Sequence, residues 1–215
     1  MSTVMFGGSR QLVSSSVLQA VVSSVLASGR SVSVGCALGA DELALRQVMA
    51  SGAASRLSVF AVGGVSASGV PAGFWRGSAV RAVLSAASAG ASMAWWAGGA
   101  VSWPLRVRLF ARSQACASSV LRGGPGGGAV FFVCGGPSVS HGSWAVARWC
   151  VGAGVPVVVF PVSEGFAWPG APWAGVAGRF VPLPGSGVWS LGSRWVPCGR
   201  PVAAVQASWG AGAVM

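Results

Sequence analysis

The chain has 215 residues, of which 53% are hydrophobic and only 8% charged, with a formal charge of +11. That length suits one large domain, or a domain with an appendage, and is enough to bury a real core. The charge favours anionic partners such as nucleotides or nucleic acid. The five cysteines (36, 116, 134, 150 and 198) include no C-x-x-C pair and meet a single histidine, which excludes the usual zinc arrangements and reads as free thiols in a reducing compartment. No apolar run reaches the ~18 residues of a membrane span, and the first ten residues do not read as a signal peptide. A cytoplasmic protein with no membrane partner is expected.

The missing residue types are a pattern of their own. Lys, Ile, Asn and Tyr are absent, and Thr3, Asp41 and His141 are the single examples of their kinds. All of these need adenine in the first or second codon position, whereas Arg, which supplies all 14 basic residues, can be encoded without it. An adenine-depleted gene accounts for the set. Absent lysine then carries no functional meaning, and the excess positive charge reads either as compositional drift or as a preference for anionic partners. Asp41, Glu42, His141, Glu164 and the glutamines stand out as residues retained against the bias.

In chain order, residues 4–6 read as a strand that stops at Gly7-Gly8-Ser9-Arg10. Residues 11–28 present one apolar helical face through Leu12, Val17, Leu18, Val21, Val22, Val25 and Leu26. A second strand is expected at 31–34, ended by Gly35-Cys36, and a helix at 39–51, with Asp41 and Glu42 where acids suit the positive helix end. A third strand spans 57–62 and ends at Gly63-Gly64. A Ser/Ala-rich helix is expected at 74–88, a strand at 92–96 and a helix at 105–121 carrying Arg106, Arg108 and Arg112. Strands at 129–134 and 155–160 flank a helix at 143–151. Alternating strands and helices, with short and nearly continuous apolar strands, predict an α/β fold: a Rossmann-like parallel sheet with helices on both faces. Residues 1–162 form this unit. Residues 163–215 form a Trp/Gly/Pro-rich C-terminal appendage, with short strands expected at 179–183, 187–191 and 194–196.

Three glycine-rich segments follow strand ends: Gly7-Gly8-Ser9-Arg10, the run from Gly35 to Asp41, and the run from Gly135 to Ser143. Ligands of open parallel sheets bind beyond the carboxyl ends of the strands. Glycine lets backbone N–H groups approach a phosphate, and a following helix start adds donors and partial positive charge. Together with RLFARSQACASSV at 108–120 and HGSWAVARWCVGAGVPVVVFP at 141–161, these segments resemble the SLOG superfamily of Rossmann-like proteins. That group includes the DNA-processing DprA/Smf proteins, the LOG phosphoribohydrolases, molybdenum-cofactor carriers and nucleotide-sensing domains. The likeness covers residues 3–162 and leaves the tail outside it.

The resemblance implies a nucleotide or nucleotide-derived phosphate ligand, held in a sensor or carrier role. Gly7, Gly8, Ser9 and Arg10 would line the phosphate or ribose side. Gly35, Gly39 and Asp41 would form a second wall, with Asp41 either capping its helix or bonding a ribose or base. Arg108 and Arg112, with Ser113 beside them, would face the anion, while Arg106 and Arg122 would be solvated. Gly135, Gly136, Ser140, Gly142 and Ser143 would cradle a phosphate. His141 reads as a phosphate donor or acid/base group, or as a surface histidine satisfied by water. The family alternatives are a DprA-like single-stranded DNA-binding protein and a LOG-like nucleoside-monophosphate phosphoribohydrolase. The second departs from its pattern here, because the position of the LOG glutamate is Val146, leaving Glu42 or Glu164 as substitutes. A homodimer is also implied. Cys36 and Cys134, at strand ends, read as buried fillers or as reactive thiols.

Overall fold

The computed structural model describes residues 1–163, 166–170, 173 and 175–198. Six parallel strands form its centre: β1 (Thr3–Gly8), β2 (Ser31–Val34), β3 (Leu57–Phe60), β6 (Ser92–Ala94), β7 (Gly128–Val133) and β8 (Val157–Pro161). Five helices connect or flank them: α1 (Ser16–Ala27), α2 (Ala40–Ala50), α3 (Val80–Ser88), α4 (Leu105–Arg122) and α5 (His141–Gly152). Two further strands, β9 (Gly178–Pro182) and β10 (Ser193–Pro197), pair antiparallel with each other, and β10 pairs antiparallel with β8. The sheet order is therefore β6-β3-β2-β1-β7-β8-β10-β9. This is the expected α/β architecture, with a mostly parallel central sheet. Part of the tail continues that sheet.

Side-chain alternation divides the core into two layers. Val4 and Phe6 of β1, Val130 and Phe132 of β7, and Val158 and Phe160 of β8 pack with α1, α2 and α3. Met5, Ala129, Phe131, Val133, Val157 and Val159 point the other way and pack with α4 and α5. Both faces are covered, so a strand such as β7 is buried at every residue, which is why it reads as a continuous apolar run.

Local chemistry moved several boundaries. The apolar spacing places a helix start near residue 11, but α1 begins at Ser16, because the Ser15 side chain accepts from the Leu18 N–H at 3.0 Å. Residues 9–15 are thereby left as a loop. Likewise α3 begins at Val80 rather than at 74. Gly77 lies at φ +81°, and the Ala79 N–H bonds the Cys36 carbonyl, so the preceding residues are held in a loop. A small hairpin, β4 (Gly64–Val65) with β5 (Pro71–Ala72), occupies the segment after β3 and was not anticipated. Residues 187–191, expected as a strand, instead hold a 3-10 turn, Val188–Leu191. No helix among the described residues is long and apolar enough to cross a membrane.

Candidate functional site

Strand order reverses beside β1. The chain moves outward from β1 through β2 and β3 to β6, then returns to place β7 on the other side of β1. The connections on either side of that junction diverge, opening a crevice at the carboxyl ends of β1 and β7. A cleft of about 550 Å³ lies there, within the ~300–1,000 Å³ of small-molecule sites.

Of the residues proposed from sequence, Gly7, Gly8, Ser9, Arg10, Asp41, Arg112, Ser113, Ser140, His141, Gly142 and Ser143 all line this one cleft. They come from four segments far apart in the chain: the end of β1, the start of α2, the middle of α4 and the start of α5. The first turn of α5 contributes its side from His141 to Ser143. Its earliest N–H groups have no partner within the helix and carry the positive end of the helix dipole. Ser9 joins the two sides of the crevice. Its hydroxyl accepts from the Cys134 N–H at 2.8 Å and shares a 2.9 Å hydrogen bond with the Ser140 hydroxyl.

The floor holds a buried ion pair. Arg112 Nη1 donates to Asp41 Oδ2 at 2.8 Å, and both residues are about 95% buried. Burial opposes the Arg112 charge, but the nearby Asp41 carboxylate more than offsets it and holds the guanidinium above its ordinary range. The same carboxylate oxygen accepts from the Ala37 N–H at 3.4 Å. Asp41 is thus neither a simple cap nor a free ligand group: it ties α2 to α4. The Arg112 Nε is buried without a hydrogen-bond partner among the described residues.

Five proposed residues stand behind the cleft rather than in its lining. A Cβ on Gly35 would lie 1.3 Å from Arg112 Nη1 and 2.3 Å from Asp41 Oδ2, so glycine there makes room for the ion pair. Gly39, at φ +81°, passes so close to the loop after β1 that a Cβ would sit 2.2 Å from the Ser9 carbonyl oxygen. Gly135 and Gly136 shape the turn into α5: the Gly136 carbonyl accepts from the N–H groups of Val139 and Ser140, and the Gly135 carbonyl accepts from the Trp144 indole at 2.8 Å. Arg108 turns away from the cleft. It is buried, and its Nη2 donates to the carbonyls of Val62 and Gly73. Arg106, expected to be merely solvated, lines the cleft.

Glu42 also lies elsewhere, paired along α2 with Arg46 at 2.6 Å. Glu164 lies outside the described residues. Val146, which the resemblance would align with the LOG glutamate, is a buried part of the cleft wall. Cys36 is packed in the core and Cys134 is half-buried, and neither is part of the lining.

Sequence reasoning missed Gln11, Trp75, Leu105, Leu109 and Phe110. Leu105, Leu109 and Phe110 share a face of α4 with Arg106 and Ser113, and apolar residues at helical spacing carry no signal that separates a cleft wall from core. Trp75 sits in the loop before α3, and the Arg10 guanidinium lies 4.4 Å from its ring centroid. Among the described lining residues, three arginines face one carboxylate, and that carboxylate is already committed to Arg112. Comparison with protein-family models, with curated proteins and with solved structures finds no match.

Proposed function

We propose that this cleft binds a nucleotide or nucleotide-derived phosphate ligand, in a sensor or carrier role. One observation carries the reading: Arg10, Arg106 and the amino end of α5 converge on a single cleft at the strand-order reversal. Two arginines without an acidic partner in the lining, and a helix start with free N–H groups, together make an electropositive pocket for an anion. The Ser140, Ser143 and Ser9 hydroxyls add hydrogen-bonding capacity beside it. Binding is favoured over glycosidic hydrolysis because Val146 stands where the LOG glutamate would act, and Asp41 is held by Arg112. The SLOG resemblance points to the same ligand class.

Thermal unfolding against a ligand panel tests this. The panel holds nucleoside mono-, di- and triphosphates, cyclic nucleotides, ADP-ribose and a short single-stranded DNA. A ligand that binds only the folded protein adds about 2.7 kcal/mol of stability at 100 times its Kd. The expected result is a raised midpoint with at least one nucleotide, lost in Arg10→Ala. Arg10 is exposed and outside the buried ion pair, so its removal leaves the fold's internal charges paired. No response to any nucleotide, with a salt-sensitive response to DNA, would overturn the reading in favour of the DprA-like alternative.

A further inference from the structure

Trp75 has no counterpart in the phosphate chemistry of the cleft. A phosphate needs N–H groups, hydroxyls and cations; it has no use for a large planar ring. Yet the ring lines the cleft, and the loop that carries it is held from several sides. Buried Arg108 donates to the Gly73 carbonyl at 3.0 Å. Gly73 lies at φ +73° so close to Trp96 that a Cβ would sit 2.1 Å from its ring. After Trp75, the Ser78 N–H bonds the Trp75 carbonyl at 3.0 Å, Ala79 bonds Cys36, and Ser78 bridges Ala37. A loop held in this way fixes the backbone that carries the ring before any ligand arrives, so a partner stacking on Trp75 spends little on ordering that segment.

One face of Trp75 is occupied by Arg10, an exposed and unbranched side chain. Stacking of a cation on an exposed ring is a weak contact, and a charge-assisted bond to a phosphate is stronger. An anion entering the cleft therefore draws Arg10 from the ring and uncovers a flat apolar surface beside the phosphate site. From this we infer that Trp75 is a stacking platform for a nucleobase, and that Arg10 exchanges its contact with the ring for the ligand's phosphate. The inference rests on the proposed binding site and assigns the recognition of the ligand's base within it to Trp75, with Arg10 exchanged to the phosphate.

Calorimetric titration of the full chain with adenosine 5′-monophosphate and with ribose 5-phosphate tests it, since the two probes differ by the base alone. Base–aromatic stacking at this strength corresponds to about tenfold in affinity or more. The wild-type protein is expected to prefer the nucleotide by at least that factor. Trp75→Leu should bring the ratio to within about twofold of one, and Trp75→Phe, which keeps a smaller ring, should retain most of it. A preference that survives Trp75→Leu undiminished overturns the platform and leaves the phosphate site standing. Equal binding of the two probes by the wild-type protein overturns it as well. If neither probe binds, nor any other nucleotide of the thermal panel, the site reading itself falls and the platform with it.

Discussion

The cleft at the strand reversal and the aromatic edge near the C-terminus are both assembled from distant segments, but different forces hold them. In the cleft, single polar contacts set the geometry: Asp41 to Arg112, Ser9 to Cys134, and Gly35 leaving space for the ion pair. At the edge, Trp144, Phe166, Trp168, Trp173, Phe180 and Trp195 pack ring against ring, with neighbouring centroids 4.8–6.5 Å apart. Ring packing sums area over many contacts, so losing one peripheral member is shared among the rest. A buried charge has one counterion, and losing it leaves the other charge desolvated and alone. The first region should fail abruptly and the second by degrees.

Asp41→Ala should give the largest loss. It strands Arg112 in the floor of the cleft and should cost about 3–5 kcal/mol in urea unfolding. A loss under about 1 kcal/mol would show that the pair contributes little to the fold. Gly35→Ala comes next, at about 1–3 kcal/mol, because the added methyl must displace the Arg112 guanidinium. In a double-mutant cycle, Gly35→Ala should cost less than about 1 kcal/mol when added to Arg112→Met, which already lacks the guanidinium to be displaced; full additivity of the two losses would place the strain in the backbone instead.

Between the two regions lie Cys116 on α4 and Cys150 on α5, both buried in the layer that the aromatic edge extends. Burial pushes both thiols up from an ordinary 9.0 to about 12, with Ser33 easing the shift at Cys116 and Cys116 adding to it at Cys150. The thiols are protonated in both states below about pH 9, so their contribution is complete there. Above it the unfolded chain ionises first, and stability falls as pH rises from about 9 towards 12. Urea midpoints at pH 8 and pH 10 should show that fall, and the double variant Cys116→Ala/Cys150→Ala should flatten it. An unchanged slope in the double variant would assign the fall to other groups.

Trp168→Ala removes a partly exposed member of the aromatic edge and should cost about 1 kcal/mol. A loss as large as that of Asp41→Ala would erase the contrast between the regions. Glu42→Ala should be the mildest change, within about 0.5 kcal/mol, because its partner Arg46 is largely exposed and the pair is a single helix-surface contact. It and Asp41 are adjacent acids, both kept in a chain with only three, yet only one is expected to matter for stability.

The strand–helix alternation, the burial of β7 and of Val157–Phe160 in β8, and the carboxyl-end glycines were legible in the sequence, because apolar period and glycine placement are local properties of the chain. So was the gathering of most candidate site residues: strand ends in a parallel sheet point to one side, which brought Ser9, Asp41, Arg112 and Ser143 to a common crevice. What adjacency in sequence could not separate was the direction of each side chain. Arg108 and Arg112 lie one helical turn apart, and both read as anion ligands. Packing sends the first to the carbonyls of Val62 and Gly73 and the second to Asp41. Gly35 and Gly7 read alike, but Gly35 makes way for a side chain from α4 while Gly7 lines the cleft itself. Trp75 carried no signal, since its place against Arg10 depends on a hairpin and loop folding back from β3. Periodicity reports which face of an element is buried; which distant group it meets there is decided only when the layers close.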